Sequence, residues 1–328
     1  MDIIDSLAHT AEYINQHKQA DLEQVIHRSY HENGWFIPHY GYQAWRACMQ
    51  WLDKAVLSQF MQNYIPASVS KQIGIIAAGN IPMVGFHDVL MVILSGHKAI
   101  VKLSHQDKQL IPFFVRTWQN LYPEYADKVV FVDDFRQLHL DKVIATGSNN
   151  TARYFEYYFR NIPNLIRKNR FSIAVIRGNE TEEVLEKLSY DCFDYFGLGC
   201  RNISHIFLPQ GYEPIRLCPF LERHPHNKYH DKWLNNYTYH KALLLMDLNY
   251  DFLDGGFFIL REMQPRTQPP AVIGYSFYTS ETDLQSQINA IKENLQLILY
   301  PEHFGTAQYP AIDDFADNVD TMAFLLAD

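Results

Sequence analysis

From Asp2 to Tyr64 apolar residues recur at intervals of three and four with polar residues between them, which predicts a run of amphipathic helices closing before Pro66. The pattern then shortens. QIGIIAAGNIPMVGFHDVLMVILSG opens with an apolar run of strand length, Ile73 to Ala77, turns at Gly-Asn-Ile-Pro, and continues as an apolar helix to Gly96, with Pro82 suited to a first helical turn. Ala99 to Ser104 reads as a second strand. A helix around Leu110 to Leu121, the strands KVVFVD and KVIATG, and a helix beginning near Asn150 follow. After Arg170 a new series starts with FSIAVIRGNE, a helix from Glu182 to Leu188, a turn at Cys200 and the strand HIFLP. Arg223 to Lys241 is polar, rich in histidine and tyrosine, and reads as a surface loop; a more apolar stretch runs on to Leu260. REMQPRTQPPAVIGYSFY reads as a loop entering a strand, DLQSQINAIKENLQLILY as an amphipathic helix running into another, and HFGTAQYPAIDDFADNVDTMAFLL as a tail.

Strands alternating with helices predict parallel sheets wound by right-handed crossovers, whose ligands sit at the carboxyl ends of the strands. Those ends carry Asn80, Lys102 and Gly147. The expected organisation is N-terminal helices with a Rossmann-like cofactor domain over 1–168, a second domain bearing Cys200 over 169–300, and a tail over 301–328.

Composition narrows the function. With 328 residues and 47% hydrophobic content the chain can bury a large core, and its formal charge of -9 disfavours nucleic acid or an anionic membrane as a partner. No apolar run is long enough to span a bilayer, and the start MDIIDSLAHT has acidic residues where a signal peptide would have basic ones, so a cytoplasmic location is expected. Cys48, Cys192, Cys200 and Cys218 form no CxxC pair, and His224, His226 and His230 have no defined zinc spacing; no metal is expected.

Four places can carry chemistry, each with a plain structural reading beside it. Asn80 either caps the following helix or donates to a developing oxyanion. Lys102 ends a buried strand, where it meets either an internal carboxylate or an anionic or hydroxylic ligand. Gly147, Ser148 and Thr151 lie where a strand turns into a helix, a place that can hold phosphate but often holds nothing. Cys200, in FGLGCRN, is either a buried plug or a nucleophile with room around it and Arg201 beside it to stabilise a thiolate.

Taken in order, NIP (Asn80 to Pro82), KLS (Lys102 to Ser104), TGS (Thr146 to Ser148) and GLGC (Gly197 to Cys200) resemble the aldehyde dehydrogenase superfamily. Glu262, in REMQP, stands where that superfamily has a glutamate before Phe-Gly-Pro, although Phe and Gly are missing here. Within the superfamily, AAGNIP, ATGSNNTARYF, FGLGCRN and the tail FGTAQYPAIDDFADNVDTMAFL resemble acyl-CoA reductases of the bacterial luminescence fatty acid reductase type, from about Gln72 to the end. The resemblance implies an α/β fold of two doubly wound lobes preceded by an N-terminal helical section, and NADPH-dependent reduction of an acyl thioester to an aldehyde through an acyl-cysteine. It casts Cys200 as nucleophile, Asn80 as oxyanion donor, and Lys102, Ser104, His105, Gly147, Ser148 and Glu262 as cofactor contacts. It also implies an acyl-CoA or acyl-carrier substrate, an acyl-activating ligase as a possible partner, and possible oligomers. Two departures refine it. Ile166 falls near the place of the glutamate that activates water in ordinary members. His105 stands where NAD-preferring members carry a glutamate that repels a 2′-phosphate, which points to NADPH. An oxidative aldehyde dehydrogenase and a non-catalytic scaffold retaining the fold are the alternatives.

Overall fold

The computed structural model describes residues 2–248 and 251–327. They divide into two compact units, one of residues 1–168 with 310–328 and one of residues 169–309.

The first unit opens with α1 (Ile3–His17), α2 (Gln19–Glu32), α3 (Pro38–Gln50) and α4 (Lys54–Met61). Asp2 and Asp53 cap α1 and α4 by accepting from backbone N–H groups of the first turn. There follow β1 (Gln72–Ile76), α5 (Phe86–Leu94), β2 (Lys98–Lys102), α6 (Leu110–Leu121), β3 (Val129–Phe131), β4 (Lys142–Thr146), α7 (Asn149–Tyr158) and β5 (Asn164–Arg167). The five strands form one parallel sheet in the order β3-β2-β1-β4-β5. The apolar runs fill its middle: Ile73, Ile75, Ala99, Val101, Val143 and Ile144 are buried, as both faces of a parallel sheet require. One local expectation fails. α5 starts at Phe86 with Gly85 at its N-cap, so Pro82 and Asn80 lie in a separate turn ahead of it, and Asn80 is not the N-cap of α5. The reason is Met83, whose φ of 61° breaks the helical path before Phe86.

The second unit contains β6 (Phe171–Val175), α8 (Glu182–Phe193), β7 (Ile203–Pro209), α9 (Cys218–Leu221), α10 (Asp231–Met246), β8 (Leu253–Asp254), β9 (Ile259–Glu262), β10 (Val272–Tyr278), α11 (Glu281–Ile291) and β11 (Leu295–Leu299). Its sheet runs β11-β6-β7-β10-β9-β8, parallel except where β8 meets β9. The histidine- and tyrosine-rich segment is not a surface loop. From Asp231 it is helical, because Trp233 and Tyr237, one turn apart, form a buried face, and the Trp233 indole donates to the Phe257 carbonyl at 2.7 Å. His224 is fully buried and pairs with Asp194 at 3.1 Å. Within the apolar stretch to Leu260, positions 249 and 250 lie outside the described residues.

The segment expected as one tail divides: residues to Tyr309 belong to the second unit and those from Pro310 to the first. There α12 (Thr321–Leu326) is held by polar contacts at both ends. The Lys142 ammonium donates to the carbonyls of Phe324 and Leu325 at 2.9 and 3.2 Å, satisfying the orphan acceptors of a helix terminus. Arg167 forms a buried pair with both oxygens of Asp88 (2.6 and 2.7 Å) and donates to the Thr321 hydroxyl at 2.8 Å.

Candidate active site

In the first unit the candidate residues gather at the carboxyl ends of three adjacent strands, β2, β1 and β4. The Ala77 N–H donates to the Lys102 carbonyl at 3.1 Å, extending the ladder one step past β1. Beyond it the loops touch: a Cβ on Gly79 would lie 2.5 Å from the Ser104 hydroxyl, so only glycine lets the Asn80 turn rest on that serine. Asn80 and His105 are exposed and Lys102 is half-buried. The Ser104 hydroxyl accepts from the Gln106 N–H at 3.2 Å and so stabilises its own turn. At β4 the Gly147 N–H donates to the Arg167 carbonyl, and Ser148 is the N-cap of α7, accepting from the Thr151 N–H at 3.2 Å. The Ser148 hydroxyl therefore builds the helix end, leaving an exposed N-terminal turn at residues 148–150.

A neighbouring pair escaped the sequence reading. After β3, Arg136 grips Asp134 through its side chain (2.8 and 3.1 Å) and its backbone N–H (2.9 Å). The Asp134 carboxyl is held below its ordinary range by Arg136 and, to a lesser degree, by Lys102. The signal was available, since β3 is the next strand out from β2 and VVFVDDFR ends it with charges.

In the second unit Cys200 is exposed, whereas Cys48, Cys192 and Cys218 of the chain are buried. Burial pushes all three buried thiols up, Cys218 to about 11, away from the thiolate form that reacts. The turn carrying Cys200 is built by strain and repaid by packing. Tyr195, Phe196 and Gly197 take φ of 50°, 56° and 62°, three left-handed residues in a row, which L-residues adopt only at a cost. Tyr195 and Phe196 offset that cost by burial, and the Phe196 ring lies 4.2 Å from that of His230. Phe196 is thus core. Buried Asn202 then pins the turn: its side chain accepts from the Gly199 N–H (2.9 Å) and donates to the carbonyls of Asp191 (3.1 Å) and Asp194 (2.8 Å). Ser172 donates to the Cys200 carbonyl at 2.8 Å.

Arg201, beside the thiol in sequence, also reaches the FGTAQ segment. Its Nε donates to the Ala307 carbonyl at 2.8 Å, and the N–H groups of Gly305 and Ala307 donate to Asp191 at 2.6 and 2.9 Å. The FGTAQ segment is tied in this way to both sides of the Cys200 turn. Burial raises the Asp191 carboxyl to about 7 against the pull of those two N–H groups. A carboxyl raised above its unfolded value of 3.8 favours the folded state most below that value, and this contribution fades as pH climbs through about 7. Asp191→Asn is accordingly expected to flatten part of the loss of stability between pH 4 and pH 7, measured as urea midpoints of variant and wild type side by side. Parallel curves would contradict it.

Glu262 is exposed at the end of β9 and lines a pocket of about 750 Å³ with Asp251, Arg261, Met263, Tyr275 and Ser276. Ser276 is backed by His205, 2.9 Å away and fully buried, whose pKa burial lowers to about 3, so the imidazole is neutral. Gly274 makes that pairing possible, since a Cβ there would come within 2.8 Å of His205 and 2.9 Å of Met263.

The sequence matches no protein-family model and no curated protein. Solved structures do match. Substrate-bound AldH of Staphylococcus aureus is 14% identical with a TM-score of 0.60, over 90% of this chain and 75% of that one. An aldehyde dehydrogenase of Mycobacterium tuberculosis complexed with NAD+ is 11% identical with a TM-score of 0.62, over 91% and 77%. An NAD-dependent benzaldehyde dehydrogenase of Corynebacterium glutamicum is 11% identical with a TM-score of 0.64, over 94% and 82%. The chain has the fold of these aldehyde dehydrogenases.

Proposed function

We propose that the protein is an oxidoreductase of aldehydes and acyl groups which reduces an acyl thioester to an aldehyde through an acyl-Cys200 intermediate, with NADPH as reductant. The observation that carries this reading is the Cys200 turn, where an exposed thiol sits on a strained backbone run fastened by Asn202 and Ser172. The fold shared with dehydrogenases, one of them crystallised with NAD+, adds support for a nicotinamide cofactor.

The Cys200 thiolate attacks the thioester carbonyl, and CoA or the acyl carrier leaves as its thiolate, which takes a proton from solvent. The resemblance of the NIP and GLGC motifs assigns the oxyanion-donor roles to the Asn80 amide and the Cys200 backbone N–H; one such donor is worth about 2.7–4 kcal/mol in a well-studied protease. Collapse of the thiohemiacetal anion then releases aldehyde and restores the Cys200 thiolate. Bound NADPH would supply the hydride that turns the acyl-cysteine into the thiohemiacetal anion.

The residues of the first unit fit such a cofactor. The sheet edge has an exposed helix N-terminus at Ser148 beside Gly147, suited to a pyrophosphate, and a half-buried lysine at Lys102 flanked by Ser104 and His105, suited to the adenosine ribose. His105 brings no negative charge to that end of β2. Glu262 takes the nicotinamide ribose in this reading. Calorimetry is expected to show tighter binding of NADPH than of NADH, and Lys102→Ala to weaken NADPH by about ten-fold, a typical loss for one charge-assisted hydrogen bond, and NADH by less. A preference for NADH in the wild type would overturn the cofactor assignment.

A further inference from the structure

Asp107 lies in the loop after β2 and is only 4% exposed, a burial that carboxylates seldom accept without a task. Its Oδ2 accepts the backbone N–H of Met83 at 2.8 Å, while Oδ1 has no hydrogen-bond partner among the described residues. Met83 is itself buried and holds the left-handed φ of 61° that separates the Asn80 turn from α5. A non-glycine residue in that conformation needs its surroundings to hold it there. At the other end of the same turn Gly79 rests on the Ser104 hydroxyl. One short loop, 104–107, thus grips the Asn80 turn at both ends. That loop is braced in turn from the N-terminal helices: the Asn33 amide donates to the Gln106 carbonyl at 3.5 Å, and Gln109 donates to Glu32 at 2.6 Å.

We propose that Asp107 is a positioning residue for Asn80: braced by the end of α2, its carboxyl fixes Met83 and so sets the backbone from which the Asn80 amide projects. The inference rests on the thioester reading for what Asn80 does, and it gives the N-terminal helices, which lie outside the family resemblance, a part in the site. A serine or threonine would be too short to reach the Met83 N–H from the same backbone, and an apolar residue would leave that buried donor unmet. The ionisable groups facing Asp107 are Glu32 at the end of α2 and the Cys48 thiol of α3. Burial lifts its carboxyl to about 7 against the pull of the Met83 N–H, with Glu32 adding to the rise.

The test pairs a structural readout with a kinetic one. Amide exchange followed by mass spectrometry should show the 79–86 peptide of Asp107→Ala exchanging about ten-fold faster than wild type, the loss of one buried hydrogen bond. The peptides of β1 and α5 should be unchanged. Rapid-quench mass spectrometry with a fatty acyl-CoA should show the Cys200 acylation rate at saturation falling by about ten-fold while half-saturation moves by less than about two-fold, since only an interaction used in the transition state is lost. Asp107→Asn keeps an acceptor and should recover most of both. If Asp107→Ala does not fold, Asp107→Glu, whose longer side chain misplaces the acceptor, carries the same two measurements. Unchanged exchange in the 79–86 peptide overturns the proposal, and so does faster exchange with undiminished acylation. If wild-type Cys200 accepts an acyl group from no thioester, the thioester reading falls, and the exchange measurement alone decides whether Asp107 fixes the turn.

Discussion

Cys200→Ala protein mixed with a fatty acyl-CoA is expected to gain no acyl mass and to form no aldehyde, while wild type gains one acyl group and, with NADPH, releases aldehyde. The expectation rests on exposure and chemistry together. Alanine removes the sulfur that must bond to the acyl carbon, and no other thiol of the chain is placed to replace it, because Cys48, Cys192 and Cys218 are buried and burial raises each away from thiolate. Binding of NADPH to the variant should stay within about two-fold of wild type, since a thiol-to-methyl change on a surface turn alters neither charge nor the sheet edge. Intact-protein mass spectrometry with peptide mapping measures the first part and calorimetry the second. Acyl adducts found on Cys192, or full acylation of the variant, would remove Cys200 from the mechanism. Cofactor binding by a wild type that never acquires an acyl group would point instead to a non-catalytic scaffold.

The second large effect concerns water. Hydrolysis of an acyl-cysteine needs a base to take a proton from the attacking water, and a positioned base contributes about 10²–10⁴-fold. Where ordinary aldehyde dehydrogenases carry that glutamate, the family resemblance sets Ile166 of β5, which packs on the cluster of Ile100, Leu140, Val143 and Ala145 and holds no group that can accept a proton. Acyl-Cys200 made without NADPH should therefore persist, and adding NADPH should release aldehyde faster than acid by about two orders of magnitude, the lower end of what a missing base withholds. Quench-flow sampling of acyl-enzyme, aldehyde and free acid in one series decides it. Free acid as the main product at saturating NADPH would mean that another residue serves as base, and the protein would then be read as a hydrolytic dehydrogenase. Glu262 is the first candidate to test in that case, being an exposed carboxylate in a pocket of the unit that carries Cys200.

Much of the fold was legible in the pattern of apolar residues. The runs at Ile73, Ala99, Val129 and Val143 are short, wholly apolar and separated by helical stretches, and such runs have no place but the middle of a parallel sheet. The strand ends followed from the same pattern, which is why Asn80, Lys102 and Gly147 could be set at one edge from sequence. Composition alone could separate Cys200 from the other cysteines only by its glycine neighbours, while the folded chain separates them by exposure. The remainder depended on contacts between residues far apart in the chain. His224 and the helix from Asp231 read as a polar loop because their burial comes from partners elsewhere: Asp194 for the imidazole, Phe257 for the Trp233 indole. Arg201 has a partner that its sequence neighbours do not disclose, a carbonyl 106 residues distant. Local periodicity and turn chemistry act over a few residues and determined the elements and the order of the sheet-edge motifs. Only the tertiary structure decided which polar groups meet, because a buried donor or acceptor takes whatever partner the packed chain brings within reach, and sequence distance does not enter that choice.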